Sequence, residues 1–340
     1  MQDDLKRRLE TVTSPAAITA AEDVPPSPWE FAMAECMEYF GPYEDAMSVR
    51  SSNLFHTHVS FLLNLHRLLP ADVVRDVEAA ELPLPSQEGF IRQVLGWREF
   101  VRHVHEATDG FRRMRDEDVP VRTTPGDAGF ESWAGKAWEA SAVDGVDVDG
   151  GADPSALDAT DPVPPALWGK ESGLFCLDQV VSDVWREAYG HHITRLMILG
   201  NIATLIGISP RDLTDWFWVA YADAYDWVVE PNVLGMATFG TGELMTTKPY
   251  VSGANYIHKM SDYCGSCRFH PKKTCPLTRM YWAFLDRNET TLSENPRLRV
   301  PLSSLRKRDP EKREEDRRIH ARVRELLAEG RSVEEILESA

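Results

Sequence analysis

The stretch YCGSCRFHPKKTCP, residues 263–276, places three cysteines within a dozen positions. Cys264 and Cys267 form C-x2-C, and Cys275 follows after seven residues. Thiolates so spaced can share one metal centre. A tetrahedral zinc would take His270 or a distant cysteine as its fourth ligand. A [4Fe-4S] cluster would take four thiolates, and the Cys275–Pro276 pair favours it, because Cys-Pro recurs at such clusters. Of five cysteines, only Cys36 and Cys176 remain. Spacing does not choose between them, and the plain alternative for either is a small buried apolar residue. Arg268, Lys272, Lys273 and Arg279 stand around the cysteines. They are candidates for nucleic-acid phosphates, with a solvated loop as the alternative.

Two further stretches carry groups capable of chemistry. Gly190-His191-His192 opens a segment with helical spacing. Adjacent residues on a helix point in different directions, so at most one of the two histidines is expected to enter a given pocket. DWFWVAYADAYDWVVEPNVLGMATFG gathers aromatics, carboxylates, an asparagine and glycines. Composition alone favours an aromatic core over a cofactor pocket. Closely spaced tryptophans can also relay electrons, because indole is among the easier side chains to oxidise.

The elements that must position these residues read as helices. EFAMAECMEYF, RSSNLFHTHVSFLLNLHRLL, EGFIRQVLGWREFVRHVH and ESGLFCLDQVVSDVWREAYGHHITRLMILGNIATLIG all repeat apolar residues at helical spacing. Ser209 and Pro210 read as the cap and first position of the next helix. No strand alternation and no internal repeat stands out, so the fold class is all-α. Residues 1–27 read as a polar leader, and 28–112 and 166–262 as two halves of one helical domain. Residues 113–165 are an insertion, Asp-, Gly- and Pro-rich over 142–165, that reads as flexible and solvated. Residues 263–300 hold the cysteine loop and a helix, and 301–340 a charged surface helix. The 340 residues carry 54 acidic against 37 basic side chains, a net charge of −17. That works against nonspecific DNA binding without excluding a local basic surface. No apolar run reaches membrane-span length and no secretory signal opens the chain, so a reducing cytoplasm is expected, without a membrane partner. There, clustered cysteines are metal ligands more often than disulfides.

YGHHITRLMILGNIATLIGISP, WFWVAYADAYDWVVEPNVLGM and TKPYVSGANYIHKMSDYCGSC resemble the bacterial iron–sulfur photolyases of the cryptochrome/photolyase family, also called prokaryotic (6-4) photolyases. FIRQVLGWREFVR and LFHTHVSFLLNLHRLLP match the earlier half of the same domain. The resemblance covers roughly residues 28–110 and 166–300. It implies a helical FAD-binding domain with a C-terminal [4Fe-4S] subregion. It also implies Cys176 as the fourth cluster ligand beside Cys264, Cys267 and Cys275, which leaves Cys36 as core. The family carries an α/β antenna domain ahead of the helical one. Here the helical domain is expected alone, with the antenna as a possible separate subunit.

Residue by residue, the resemblance assigns His56, Ser60 and Asn64 to the FAD phosphates. It assigns Gln93, Trp97 and Arg98 to the helix lining the flavin and lesion pocket, and Arg195, Asp223, Asn232 and Met236 to the flavin surround. His191 and His192 match the lesion-site pair, one acting as general acid toward a (6-4) photoproduct. Trp216 and Trp168 match relay positions. Two residues depart from the pattern. Phe217 replaces a tyrosine after the relay tryptophan, and Val229 stands where a glutamate is usual, with Glu230 one place later. The function implied is a DNA photolyase, a carbon–carbon lyase acting on UV-damaged DNA. A blue-light photoreceptor without repair, and an iron–sulfur nucleic-acid-binding protein without flavin, are the alternatives.

Overall fold

The computed structural model describes residues 27–122 and 149–338, apart from residue 116. The expected leader before Ser27 and residues 123–148 of the expected insertion lie outside the described residues. Within them the chain is all-α. Each strand is two residues long: β1 (Arg113–Met114) pairs with β2 (Glu117–Asp118), and β3 (Val121–Arg122) with β4 (Gly151–Ala152), both antiparallel.

Helix α1 (28–43) begins on a capping box. Ser27 Oγ accepts from the Glu30 N–H at 3.2 Å, and the Glu30 carboxylate accepts from the Ser27 N–H at 2.8 Å. Its Trp29, Met37 and Phe40 pack against Leu63 of α2 (Ser60–Asn64), Val73 and Val77 of α3 (Pro70–Ala79) and Phe90 of α4 (84–107). α1 and α4 meet at Gly41, whose N–H reaches Ser86 Oγ at 2.9 Å. A Cβ there would lie 2.5 Å from the Pro85 carbonyl carbon.

The main core gathers α5 (Phe175–Glu187), α6 (192–206), α7 (Pro210–Ala220), α8 (226–237), α9 (Ala254–Met260) and α10 (Pro276–Arg287). Leu177, Ile198, Leu213, Trp216 and Phe284 are buried in it, and full burial of such a side chain stabilises by about 1.5–3 kcal/mol. α7 starts as its sequence predicts, with Ser209 Oγ accepting from Asp212 N–H at 3.2 Å and Pro210 in the first position. Four helices contain a wider π-helical stretch: Ala32–Cys36, Arg92–Trp97, Arg195–Gly200 and Glu230–Ala237. Three of these stretches hold candidate site residues, in keeping with the frequent placement of π-bulges at functional sites.

Two expectations are corrected. Residues 149–165 are not simply solvated: Ala152, Leu157 and Val163 are buried. Leu157 and Val163 join the main core and Ala152 a smaller cluster. Its acids find guanidinium partners, Asp153 with Arg122 at 2.9 Å and Asp161 with Arg324. The C-terminal segment is also more than a surface helix. α11 (Arg299–Arg306) and α12 (Pro310–Ala328) follow α10, and α12 lies along α10. Asp316 of α12 is 1% exposed and held between Arg308, at 2.6 Å, and Arg279, at 3.2 Å. No described helix is long and apolar enough to cross a membrane.

Candidate functional site

Asp223, just past α7, is a buried hub. Arg195, in the π turn of α6, grips both its carboxylate oxygens at 3.0 and 2.9 Å. Ser60 Oγ donates to the same carboxylate at 2.6 Å, and Asn64 Nδ2 donates to the Asp223 carbonyl at 3.3 Å. Burial works to raise the Asp223 carboxyl, but the Arg195 guanidinium outweighs it and holds the group below its ordinary range. The same guanidinium lies 4.2 Å from the centre of the Tyr221 ring, close enough for a cation–π contact. Ser60, Asn64, Arg195 and Asp223 are thus brought together.

The histidines converge beside this hub. His191 precedes α6 in extended backbone, while His192 begins the helix. The helical argument that only one could enter a pocket therefore fails, because only the second is helical. The His191 ring stacks on His56 with centroids 4.3 Å apart, and His192 meets His56 at 5.1 Å. One ring nitrogen from each of the three falls within 4.8 Å of the others. His56 donates through Nε2 to the Glu44 carbonyl at 3.1 Å. Burial, reinforced by neighbouring positive groups, holds His56 and His191 well below the ordinary imidazole range, so both are neutral. His192 is 48% exposed and faces the Asp45 carboxylate at 3.7 Å. Both ring nitrogens of His191 and the Tyr221 hydroxyl are buried without a hydrogen-bond partner. Such atoms cost about 1–3 kcal/mol each when left unmade, and they fit a bound group that offers nitrogen and oxygen atoms.

A second group gathers on α4 and α8. Trp97 Nε1 donates to Asn232 Oδ1 at 2.8 Å, Arg98 lies 4.7 Å from the Trp227 ring centre, and Met236, Trp97 and Trp227 all pack against one small buried cluster that includes Val101, Leu234 and Met245. Gln93 is tied to the histidines through Glu44, to which it donates at 3.2 Å. Glu230, the displaced carboxylate, joins neither group. It is buried against Arg211 at 3.2 Å and His105 at 3.3 Å, and burial lifts it to about 7 against the pull of Arg211. Val229 is buried in the main core.

Trp168 and Trp216 are bridged by a residue that the sequence reading did not single out. Trp185 of α5 lies 5.7 Å from Trp168 and 6.3 Å from Trp216, centre to centre. Trp185 and Trp216 both donate to the Leu167 carbonyl, at 2.9 and 3.1 Å. Trp216 continues to Tyr221 at 6.1 Å, and Phe217 stacks on Tyr221 at 4.9 Å. The series reaches the Arg195 side of the hub without needing Phe217. No local motif marks Trp185; its 17- and 31-residue separations from its neighbours are set by the tertiary packing.

The cysteines Cys176, Cys264, Cys267 and Cys275 come together, each electrostatically coupled to the other three. Burial and the neighbouring thiols push Cys176 far up and Cys264 to about 11; burial above all lifts Cys275 to about 12. Among the described residues, the ligand atoms that close within 4.8 Å of one another are those of the three histidines, not the sulfurs. His270 Nδ1 accepts the Lys272 N–H at 3.1 Å. Cys36 is buried in a separate cluster with Tyr43 and Phe55. Of the basic residues, Lys272 and Lys273 are exposed. Arg268 pairs with Glu334, and Arg279 with Glu315 and Asp316.

The chain is 36% identical over 274 residues to a (6-4) photolyase of Agrobacterium fabrum, a match covering 78% of this chain and 46% of that protein. It is 44% identical over 66 residues to an uncharacterised protein of Acanthamoeba polyphaga mimivirus, covering 19% of this chain and 54% of that one. The chain thus spans about half the length of the curated relatives it matches. No family model matches it.

Proposed function

From the premise that this kinship supports the photolyase/cryptochrome family, we propose that the chain is the helical flavin-binding core of a light-driven DNA-repair protein acting on (6-4) photoproducts. The convergence of His56, His191 and His192 beside the buried Arg195–Asp223 pair carries the reading. FAD would be held by Ser60, Asn64, Arg195 and Asp223 on one side and by Trp97, Asn232 and Met236 on the other. When bound and reduced, it supplies the electron that light drives into the damaged pyrimidine pair. The orphaned His191 and Tyr221 atoms support a fit to that group.

The residues of the chain do the rest. Arg195 and Asp223, locked to each other, hold a fixed charge pair in a buried place. His192 is the proton donor, because it is exposed to an incoming base and faces Asp45, whereas His191 is held neutral by burial. His191 orients and excludes water. A lesion flipped from the duplex reaches His192 at lower cost than an intact base. Lys272 and Lys273 meet the phosphates; Arg268 and Arg279 are spent on internal ion pairs. Cys176 of α5 and the three loop cysteines would hold a [4Fe-4S] cluster, which would tie α5 to the start of α10.

The burial of Val229 and the turning of Glu230 toward Arg211 favour a second reading, a photoreceptor of the same fold without repair. Blue light on the reduced protein with an oligonucleotide bearing one (6-4) photoproduct separates them. Repair restores the two pyrimidines in light and not in the dark; a lit-minus-dark structural change with no restoration establishes the photoreceptor.

A further inference from the structure

Three imidazoles meet beside the hub, and their hydrogen bonds leave lone pairs unused. One ring nitrogen each of His56, His191 and His192 lies within 4.8 Å of the other two. A carbonyl only accepts, so neutral His56 carries its proton on Nε2, 3.1 Å from the Glu44 carbonyl, and keeps a lone pair on Nδ1. Metal-bound imidazoles are commonly held this way, with the other nitrogen tied to a backbone carbonyl or a carboxylate. His191 is 2% exposed, and neither of its ring nitrogens has a hydrogen-bond partner among the described residues. A buried polar ring in that state lacks a ligand. His192 closes the set from the solvent side, where its Nε2 faces the Asp45 carboxylate at 3.7 Å. The fixed positive charge nearby, Arg195, is paired with Asp223 at 2.9 Å and does not repel a cation with its full charge. His56 and His191 stack with ring planes 8° apart. Their in-plane lone pairs therefore run parallel, and both reach one ion only when a ring turns about its Cβ–Cγ bond. His191 gives up no hydrogen bond by turning. Zinc–nitrogen bonds of about 2.0–2.1 Å set tetrahedral ligand nitrogens roughly 3.3 Å apart, so the three rings draw inward on binding.

We propose that His56, His191 and His192 bind one divalent ion of the zinc and nickel class, with a further coordination position open to solvent beside His192. Imidazole ligands select such ions over magnesium and calcium, which take oxygen ligands. The ion occupies the lone pair on which His192 would carry its proton, and so holds the proposed acid idle. The binding rests on the three rings alone; its effect on repair rests on the repair reading.

The test is equilibrium dialysis of the full chain against nickel(II), with metal analysis. His192→Asn changes a half-exposed side chain, and circular dichroism checks that the helices stay intact. It should weaken nickel binding at least about tenfold, since losing only the partner of a ligand already costs about 10–100-fold. His103→Asn, a change to a histidine of α4 whose side chain is 66% exposed, should leave the binding unchanged. X-ray absorption at the nickel edge should show imidazole nitrogens and no sulfur. Equal binding by the native chain and His192→Asn would overturn the site, and so would sulfur around the nickel, which would move the ion to the cysteines. Zinc should then slow light-driven restoration of a (6-4) lesion at least about tenfold, and EDTA should reverse the loss. Undiminished repair by zinc-loaded protein would overturn the effect on His192. No repair even without metal would instead fail the repair reading and leave the nickel result standing.

Discussion

His191 and His192 are neighbours in the chain, yet the first is 2% exposed and the second has a side chain 48% exposed. The sequence shows both and cannot divide their roles, because the division comes from His191 lying outside the helix that His192 begins. His192→Asn is expected to lower single-turnover repair of a (6-4) lesion by about 100-fold, the usual worth of a positioned proton donor. His191→Asn should cost less in rate and more in binding; equal rate losses would contradict the assignment. The cysteines are more legible. C-x2-C and Cys-Pro raise the expectation of a metal centre, but nothing in spacing separates Cys36 from Cys176. Their burial environments do, since only Cys176 is coupled to the other thiols. Cys176→Ser should leave the purified protein with almost no iron, whereas Cys36→Ser should keep a full complement; iron analysis of both decides.

At the scale of elements, apolar spacing and the Ser209–Pro210 cap locate most helices, and the four π stretches escape it, because they follow from packing between helices. Trp185 escapes for the same reason. Trp185→Phe removes the middle of the aromatic series while keeping its shape, since phenylalanine is hard to oxidise. Photoreduction of bound flavin should slow at least about tenfold, with Trp218→Phe, exposed and outside the series, as the unaffected control. Laser-flash absorption measures both. The α1–α4 crossing makes a separate demand. Gly41→Ala places a methyl 2.5 Å from Pro85 backbone, and forced overpacking of this kind costs about 1–3 kcal/mol. A urea melt should show that loss, and an unchanged midpoint would mean the crossing is looser than it is drawn.

For the whole molecule, buried titratable groups set the response to acid. His56, His191 and His320 have folded-state values below the ordinary imidazole value. The unfolded chain then binds more protons below about pH 6.5, so stability falls as pH drops through that value, by about 1.4 kcal/mol per pH unit for each histidine. Glu230, raised to about 7, acts in the opposite sense between about pH 4.5 and 7. Burial also lowers His58 and His105, so the net loss from pH 6.5 to 5.5 should be at least on the order of 2 kcal/mol by urea unfolding. A flat profile would mean that these imidazoles are solvated. Composition predicts none of this, nor the packing of residues 149–165, because both depend on which few residues reach the interior. The −17 charge, by contrast, is a property of the surface and is read directly from the sequence. That one helical chain holds a flavin and a four-iron cluster together is tested most directly by the absorption spectrum of freshly purified, oxygen-free protein, with metal analysis of the same sample. Structured flavin bands on a broad iron–sulfur background, with about four irons per chain, are the expected result. A colourless protein containing zinc, or the broad background with no flavin bands, would contradict it.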